Sequence, residues 1–449
     1  MKMELSKARS RFPDAKSIHG AQYMVVMLCA LCMVVDGFDV QAMSYAAPAL
    51  IKDWGIGKAM LGPVLSAGLF GMLVGSVLLA GIADRIGRRP ALIASLMWVA
   101  VLMALTSIVH TLGQLVAIRF IAGLGMGVVV PNALALGGEY SPKRLRTTLV
   151  MVVSSGYVIG GVVGGAIATF VIKPFGWTGV FYSGAILTGF LALLMLILLP
   201  ESLQFRLLRR PNDDKTVDLI RKYRLDDEFN QTEQSARKES ALKVVFGHGR
   251  TRPTVLLWLA SFCNMLSAYF LAAWIPLLMS AIGFSAGASL LTGMAFWGGG
   301  LIGNYLLGYL IDRFGYGWVM FANFVLGGLS IAGLAFFTHQ PEIAVLCIMF
   351  AGFSVFGGQS GLYGIAVVFY PTKGRSTGAG LASGVGRVGA VLGPVLGGYL
   401  LSRSWTADQI ILASAGPTLV TALSIALLSS ISRSDDPCAV SAPSVGTQS

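Results

Sequence analysis

Twelve long apolar segments constrain the fold of this 449-residue chain more than any other feature. A helix that crosses the hydrocarbon core of a bilayer needs about 20 mostly apolar residues. The segments of sufficient length, numbered spans 1 to 12, are 22–45, 60–82, 91–110, 114–137, 148–171, 178–199, 254–281, 288–311, 317–337, 342–366, 376–401 and 408–431. The pattern predicts an all-α polytopic membrane protein with twelve transmembrane helices.

The composition excludes several other classes of protein. Hydrophobic residues make up 55% of the chain and charged residues 12%, whereas a soluble domain carries roughly 25% charged residues. A soluble enzyme, a disordered chain and a nucleic-acid-binding domain are therefore poor fits. No nucleophile–base set, metal-ligand cluster or nucleotide loop is present in the sequence. We expect a protein that is not an enzyme and that holds neither a metal nor a cofactor.

The basic residues predict the orientation of the chain. Most of the 33 Lys and Arg residues fall on one side of the membrane if the N-terminus is cytoplasmic, and cytoplasmic loops carry the excess of positive charge. Both termini are then cytoplasmic, and the net charge of +12 needs no nucleic-acid partner. The predicted organisation is a cytoplasmic tail (1–21), a six-helix bundle (22–199), a cytoplasmic linker (200–253), a second six-helix bundle (254–431) and a cytoplasmic tail (432–449).

An internal repeat connects the two bundles. Asp84-Arg85 is followed by Ile86-Gly87 at the end of span 2, and Asp312-Arg313 is followed by Phe314-Gly315 at the end of span 8. Recurrence at matching positions indicates a duplicated six-helix unit. We interpret these charges, with Arg88 and Glu139, as a latch of ion pairs between the cytoplasmic ends of the helices. Topological anchoring of the helix ends is the alternative.

Two acids lie inside the first span. An ionisable group within hydrocarbon costs about 2.5–3.5 kcal/mol even on permissive scales, so each one requires a reason. Asp36 and Asp39 are three positions apart, which places them on one helix face about 5–6 Å from each other. Burial and mutual repulsion both favour protonation of one carboxyl. The spacing therefore predicts a site that carries a proton.

Two arginines lie within spans at a similar depth. Arg119 is in span 4 and Arg387 in span 11, and a guanidinium stays charged under all conditions. Arginine matches a carboxylate with paired hydrogen bonds. The acids and arginines together predict proton coupling with binding of an organic anion. A purely structural ion pair between Arg119 and one of the two acids is the alternative interpretation.

The motifs of the chain resemble those of the major facilitator superfamily along nearly its whole length. The residues that carry the resemblance are 84–89, the Arg119 and Gly123–Gly127 pattern of span 4, the glycine pattern 156–165 of span 5, its counterpart 389–398 in span 11, and Pro200-Glu201-Ser202 after span 6. One departure is Ala80, where the family usually has glycine. The resemblance implies two six-helix halves with a central cavity. Small residues every four positions also allow close packing of helices.

A narrower resemblance is to the aromatic acid:proton symporter family. It rests on Asp36-Gly37-Phe38-Asp39, on Tyr269, Phe270 and Trp274 in span 7, and on Arg387-Val388-Gly389. The resemblance implies a monomeric protein that imports hydroxybenzoate-like acids with protons across a bacterial inner membrane. We expect substrate contacts from Arg119, Arg387, Tyr269, Trp274, Asn264 and Gln359, and we expect the partners to be the acid, protons and the lipid bilayer.

Other functions remain open at this stage. An exporter of drugs or organic acids with the same fold needs cavity acids but no arginines, and a carrier of sugars relies on amides. A carrier of a different small organic anion shares the arginines. A membrane receptor for the same acids binds them without net flux. Measured uptake, efflux and binding separate these possibilities.

Overall fold

The computed structural model describes residues 20–79, 81–142, 145–209, 246–247, 251–338, 340–370 and 375–435. Within these residues, twelve helices are long and apolar enough to cross a membrane. The predicted fold class is therefore confirmed. Most of the predicted linker, nearly all of the two predicted tails, and Ala80 of the glycine motif lie outside the described residues.

The spanning helices agree closely with the predicted segments. Their bounds are Gly20–Trp54, Leu61–Leu78, Arg88–Thr106, Leu112–Glu139, Arg146–Phe175, Thr178–Leu198, Thr251–Ile282, Ala286–Phe314, Tyr316–Phe336, Pro341–Phe369 (interrupted by one π-helical turn), Arg375–Ser402 and Ala407–Asp435. Short helices at Ile82–Ile86 and Leu203–Arg209 follow spans 2 and 6.

Span 1 is longer than its predicted segment. The helix continues through Pro48 and ends at Trp54. Proline interrupts helices in water, but inside a membrane neighbouring helices and polar side chains can satisfy the freed backbone groups. The helix ends where Gly55 adopts a positive φ of 64°, a conformation that glycine adopts without steric penalty.

The described helices form two compact units. The first contains spans 1–6 together with Ser285–Met294, and the second contains the remainder of spans 7–12. Ser285–Met294 contains the beginning of span 8, and the predicted domain boundaries stay a prediction.

Glycines hold the helices of the first unit in close contact. Gly156 and Gly160 of span 5 lie against the main-chain carbonyls of Ala30 and Val34 in span 1. A methyl group at either glycine would overlap those carbonyls. Small residues permit this approach of two backbones, so the glycine motif of span 5 serves helix packing.

The second unit repeats that contact between its own corresponding helices. Gly389 and Gly393 of span 11 lie against the carbonyls of Phe262 and Leu266 in span 7. Spans 5 and 1 of the first unit are thus matched by spans 11 and 7 of the second. The equivalent packing supports the duplication inferred from the paired Asp-Arg motifs.

A π-helical turn interrupts span 10. It covers Phe353–Gly357, between regular helix at Pro341–Gly352 and at Gly358–Phe369. Single π-helical turns inside α-helices are found frequently at functional sites. This turn directly precedes Gln359, one of the residues that the sequence analysis assigns to substrate binding.

Candidate functional site

A buried ion pair joins spans 1 and 4 in the first unit. Arg119 donates from one terminal nitrogen to Asp39 Oδ1 at 2.6 Å and from the other to Asp39 Oδ2 at 3.0 Å. The second nitrogen also donates to the main-chain carbonyl of Asp39 at 3.0 Å. Arg119 is 3% exposed and Asp39 is 1% exposed. This paired geometry is the strong, charge-assisted form of an arginine–carboxylate contact.

The surroundings of the ion pair are largely apolar. The Arg119 guanidinium carbon lies 5.7 Å from the centroid of the Phe181 ring in span 6, within the range of a cation–π contact. Gly68 of span 2 lies beside the guanidinium, because a methyl group there would be 3.4 Å from one of its nitrogens. Because both side chains are buried, the charges of Asp39 and Arg119 interact more strongly than they would at a surface.

Asp36 lies one helical turn before Asp39 and is also buried, at 2% exposed. Between the two acids, Gly37 lies against the main-chain carbonyl of Tyr157 in span 5. The helix is continuous there, so Gly37 permits a close contact between spans 1 and 5.

The second unit contains a buried pair of amide side chains. Asn264 of span 7 donates to Gln359 Oε1 of span 10 at 2.8 Å and to the main-chain carbonyl of Val355 at 2.9 Å. Val355 belongs to the π-helical turn. The structure therefore brings together two residues, Asn264 and Gln359, that the sequence analysis assigned to the substrate independently.

A line of polar side chains connects this amide pair with Arg387. Tyr363 follows Gln359 by one turn of span 10, and its hydroxyl lies 3.4 Å from Ser383 Oγ in span 11. Ser383 precedes Arg387 by one turn, and residues four apart are neighbours on a helix surface. Both Ser383 and Arg387 are half-buried. In the described part of the chain, Arg387 forms no salt bridge.

Helix lengths place these groups at similar depths. At about 1.5 Å per residue, Asn264 and Arg387 lie about 20 and 18 Å from the starts of spans 7 and 11, and Gln359 lies about 15 Å from the end of span 10. The three groups are therefore near the middle of a bilayer whose hydrocarbon core is about 30 Å thick. Polar residues at that depth need partners or water.

Tyr269 and Trp274, the two residues of span 7 predicted to contact the substrate, differ in their environments. Trp274 is fully buried, and its indole nitrogen donates to the main-chain carbonyl of Pro394 at 3.0 Å. Its ring also lies against Gly397 of span 11. These contacts pack spans 7 and 11 together. Tyr269 is half-buried. The substrate-binding role of both residues stays a prediction.

A second polar cluster lies where spans 2, 4 and 6 end and span 3 begins. Arg88 forms a salt bridge with Glu139 Oε1. The other oxygen of Glu139 accepts a hydrogen bond from the Ser202 hydroxyl at 2.7 Å. Ser202 Oγ in turn accepts from the Phe205 amide at 3.1 Å, at the start of a short helix. The structure thus joins the predicted pair Arg88 and Glu139, whose gating role stays a prediction.

Glu201 is a functional candidate that the sequence analysis missed. One of its carboxylate oxygens accepts from the main-chain amides of Arg89 and Ser202, at 3.1 and 2.9 Å. Gly87, with a φ of 105°, leaves the space that this carboxylate occupies. The Tyr140 hydroxyl donates to the Glu201 carbonyl at 2.7 Å. The only signal in the sequence was the Pro200-Glu201-Ser202 motif after span 6, which resembles a motif of the superfamily.

The remaining predicted gating residues lie on the surfaces of their units. Asp84 and Arg85 are exposed, and so are Asp312 and Arg313. Arg313 contacts its own helix, because it donates to the Tyr309 hydroxyl at 3.3 Å. Within the described residues these four form no salt bridge. Their contribution to a latch stays a prediction.

Comparison with known proteins agrees with the architecture. The family model described as Major Facilitator Superfamily matches residues 29–303 and 257–444. A solved bacterial homolog of the human lysosomal transporter Spinster, inward-facing and unoccupied, has a TM-score of 0.73 at 15% identity and covers 92% of this chain and 98% of that chain. At this identity the likeness shows the fold alone.

Curated relatives are considerably more similar in sequence. The 4-hydroxybenzoate transporter PcaK of Pseudomonas aeruginosa is 32% identical over 430 residues, which cover 94% of this chain and 96% of that protein. The benzoate transport protein of Acinetobacter baylyi is 32% identical over 429 residues, with 92% and 91% covered. The predicted resemblance to aromatic acid transporters is confirmed. The chain is a membrane transporter rather than an enzyme, and it belongs to the major facilitator superfamily.

Proposed function

We propose that this protein imports aromatic carboxylates together with protons across a bacterial inner membrane. The names of the similar transporters support the substrate class, since they include 4-hydroxybenzoate and benzoate. The distribution of Lys and Arg supports cytoplasmic termini. The two six-helix halves alternate in access, as the superfamily architecture implies. The observation that carries proton coupling is the buried, paired contact between Asp39 and Arg119.

The ion pair suggests how a proton and an anion are coupled. While Asp39 is ionised, it occupies the face of Arg119 that a substrate carboxylate needs. A proton that neutralises Asp39 weakens this contact and leaves the guanidinium available. The substrate carboxylate then replaces the lost negative charge. Each ligand therefore favours binding of the other, which is the thermodynamic requirement of symport.

Charge balance follows from the same exchange. Without substrate, the carboxylate of Asp39 and the guanidinium of Arg119 form a neutral pair. With one proton on Asp39 and one monoanionic substrate on Arg119, the charges at this pair again sum to zero. Keeping this sum unchanged avoids the penalty of adding an unpaired charge within hydrocarbon. Transport of one proton with one monoanion is then electroneutral, and Asp36 is the second carboxyl through which the proton passes.

The second unit supplies the other substrate contacts. Arg387 is half-buried near the middle of span 11 and is proposed as a cation that attracts the substrate. Asn264 and Gln359 provide polar contacts, and Tyr269 provides an aromatic surface for the ring. Trp274 contributes indirectly by fixing span 7 against span 11 through Pro394.

The cytoplasmic ends of the helices control access. We assign Arg88 and Glu139 to an ion pair that breaks and re-forms as spans 3 and 4 move. Asp84, Arg85, Asp312 and Arg313 are exposed at the ends of spans 2 and 8 and are available for contacts that change during the cycle.

Uptake into proteoliposomes tests the proposal. Labelled 4-hydroxybenzoate is supplied outside with the external medium more acidic than the lumen, and accumulation is compared with vesicles lacking the pH gradient. Accumulation above equilibrium that requires the gradient is expected for the wild type and is expected to be lost in Asp39→Asn. Asp53→Asn is a matched control, because Asp53 lies on the same helix and its oxygen accepts from Trp177, a contact that asparagine can keep.

Other outcomes discriminate the remaining functions. Efflux of preloaded acid against its gradient, without uptake, indicates an exporter. Binding of the acid without flux indicates a receptor. Equal accumulation by the wild type and by Asp39→Asn removes Asp39 from the coupling mechanism.

A further inference from the structure

Two neighbouring amide side chains of the second unit each contain a buried polar atom with unfilled hydrogen-bonding capacity. Asn264 is 0% exposed and Gln359 is 5% exposed. Asn264 Oδ1 and Gln359 Nε2 have no hydrogen-bond partner among the residues that the structure describes. One atom is an acceptor and the other is a donor. Buried polar groups are normally hydrogen-bonded. A buried acceptor and a buried donor that both lack a hydrogen-bond partner therefore require an explanation.

The orientation of both amides follows from their chemistry. The Val355 carbonyl can only accept, so the nitrogen of Asn264 must face it, as it does at 2.9 Å. The same nitrogen gives its second hydrogen to Gln359 at 2.8 Å, so Gln359 must turn its oxygen toward Asn264. Rotating either amide by half a turn would place two acceptors, or two donors, against each other. The unfilled atoms are therefore an oxygen on Asn264 and a nitrogen on Gln359.

The local backbone favours a binding role over simple packing. Val355 lies in the π-helical turn Phe353–Gly357, and its carbonyl anchors Asn264. Turns of this kind are common at functional sites. Gln359 follows the turn and is succeeded by Ser360, which is exposed and donates to Asn304 Oδ1 at 2.8 Å. The amide pair thus borders a polar face of spans 8 and 10 at mid-membrane depth.

We propose that Asn264 and Gln359 bind a hydroxyl group on the ring of the substrate. The hydroxyl donates to Asn264 Oδ1 and accepts from Gln359 Nε2, so one hydroxyl group satisfies the hydrogen-bonding capacity of both atoms. An unsubstituted ring, a fluorine or a methoxy group has no hydrogen to donate and leaves Asn264 unfilled. The inference rests on the proposed function and narrows its substrate class to hydroxylated aromatic acids.

The position of Arg387 fits such a substrate. Gln359 and Arg387 are each one helical turn from the contact between Tyr363 and Ser383. Arg387 is therefore a cation in the same unit as the amide pair, and it favours the approach of an anionic acid whose ring carries the hydroxyl.

Substrate analogues test the inference on the unmodified protein. Purified full-length protein is titrated with benzoate, the 3- and 4-hydroxybenzoates, 4-fluorobenzoate and 4-methoxybenzoate, and dissociation constants are measured calorimetrically. At least one hydroxybenzoate is expected to bind about 5- to 100-fold more tightly than benzoate and the 4-fluoro analogue, because a buried polar group left unpaired carries that penalty. Equal affinities across the series overturn the inference.

Two variants assign the selectivity to these residues. Gln359→Met keeps the length of the side chain and removes its nitrogen donor, and it should reduce the preference for the hydroxylated acid over benzoate to within about twofold. Asn323→Leu is the matched control, because Asn323 is another amide that is 5% exposed and donates to a span 10 carbonyl, Ser354, at 3.0 Å. This control should keep the wild-type preference.

The outcomes separate the inference from the proposed function. A preference that survives in Gln359→Met, or that is lost equally in Asn323→Leu, overturns the role of the amide pair. Binding of benzoate as tight as that of the hydroxybenzoates leaves aromatic acid transport intact and refutes only the hydroxyl contact. Failure to bind any aromatic acid refutes both. If Gln359→Met does not fold, the analogue series decides.

Discussion

The ion pair between Asp39 and Arg119 should dominate the stability of the first unit. Both side chains are almost fully buried, and both carboxylate oxygens are engaged, at 2.6 and 3.0 Å. Removing one partner leaves the other charge buried and unpaired, which lowers the free energy of unfolding by about 3–5 kcal/mol for buried pairs. For a unit of this size, that penalty lowers the melting temperature by about 6–20 °C.

The single and double variants should differ in stability. Asp39→Leu leaves the guanidinium of Arg119 buried without its carboxylate partner, and this cation cannot lose its proton. Arg119→Met leaves the carboxyl group of Asp39 buried without its cationic partner. The double variant has no stranded charge and should be more stable than Asp39→Leu.

Thermal unfolding of the purified proteins in detergent measures these differences, with the double-mutant cycle isolating the pairwise energy. The reasoning is refuted if Asp39→Leu melts within about 2 °C of the wild type, since a penalty of about 3 kcal/mol requires a larger shift. It is also refuted if the double variant is less stable than both single variants. Neither single variant should support concentrative uptake.

Three further predictions follow from the remaining contacts. Gly37→Ala should lower the melting temperature more than Gly380→Ala, because a methyl group overlaps a span 5 carbonyl at Gly37 and meets nothing within 4 Å at Gly380. Glu139→Gln should slow uptake while substrate affinity measured by calorimetry is retained, because Glu139 lies about 30 Å along span 4 from Arg119. An unchanged rate contradicts the gating role. Arg387→Met should weaken binding of the carboxylate by about 10- to 100-fold, the value of a charged hydrogen bond, and equal affinity removes Arg387 from the site.

The spans were predictable because length and hydropathy decide which segments cross a membrane. The continuation of span 1 to Trp54 was not, since proline terminates helices in water and only packing inside the bundle allows Pro48. The π-helical turn in span 10 also escaped prediction. Its hydrogen-bond register depends on contacts with other helices, including that of Val355 with Asn264.

The candidate site was predictable in its chemistry and less so in its geometry. Counting along the helices placed the acids and Arg119 at one depth, but a difference of one turn separates Asp36 from Asp39, and only the packed structure shows which one holds the arginine. Glu201 was overlooked because a glutamate after a helix-ending proline resembles a solvated charge. Its contact with Arg89 joins residues far apart in the sequence.

The central claim is that a proton and an aromatic carboxylate cross the membrane together, and substrate-driven proton movement tests it most directly. Proteoliposomes containing a pH-sensitive dye are prepared without a pH gradient, and 4-hydroxybenzoate is added outside. If proton and substrate are coupled, the lumen of wild-type vesicles should become more acidic than that of protein-free vesicles. The lumen of Asp39→Asn vesicles should become no more acidic than that of protein-free vesicles. Substrate entry into wild-type vesicles without additional acidification would contradict the coupling.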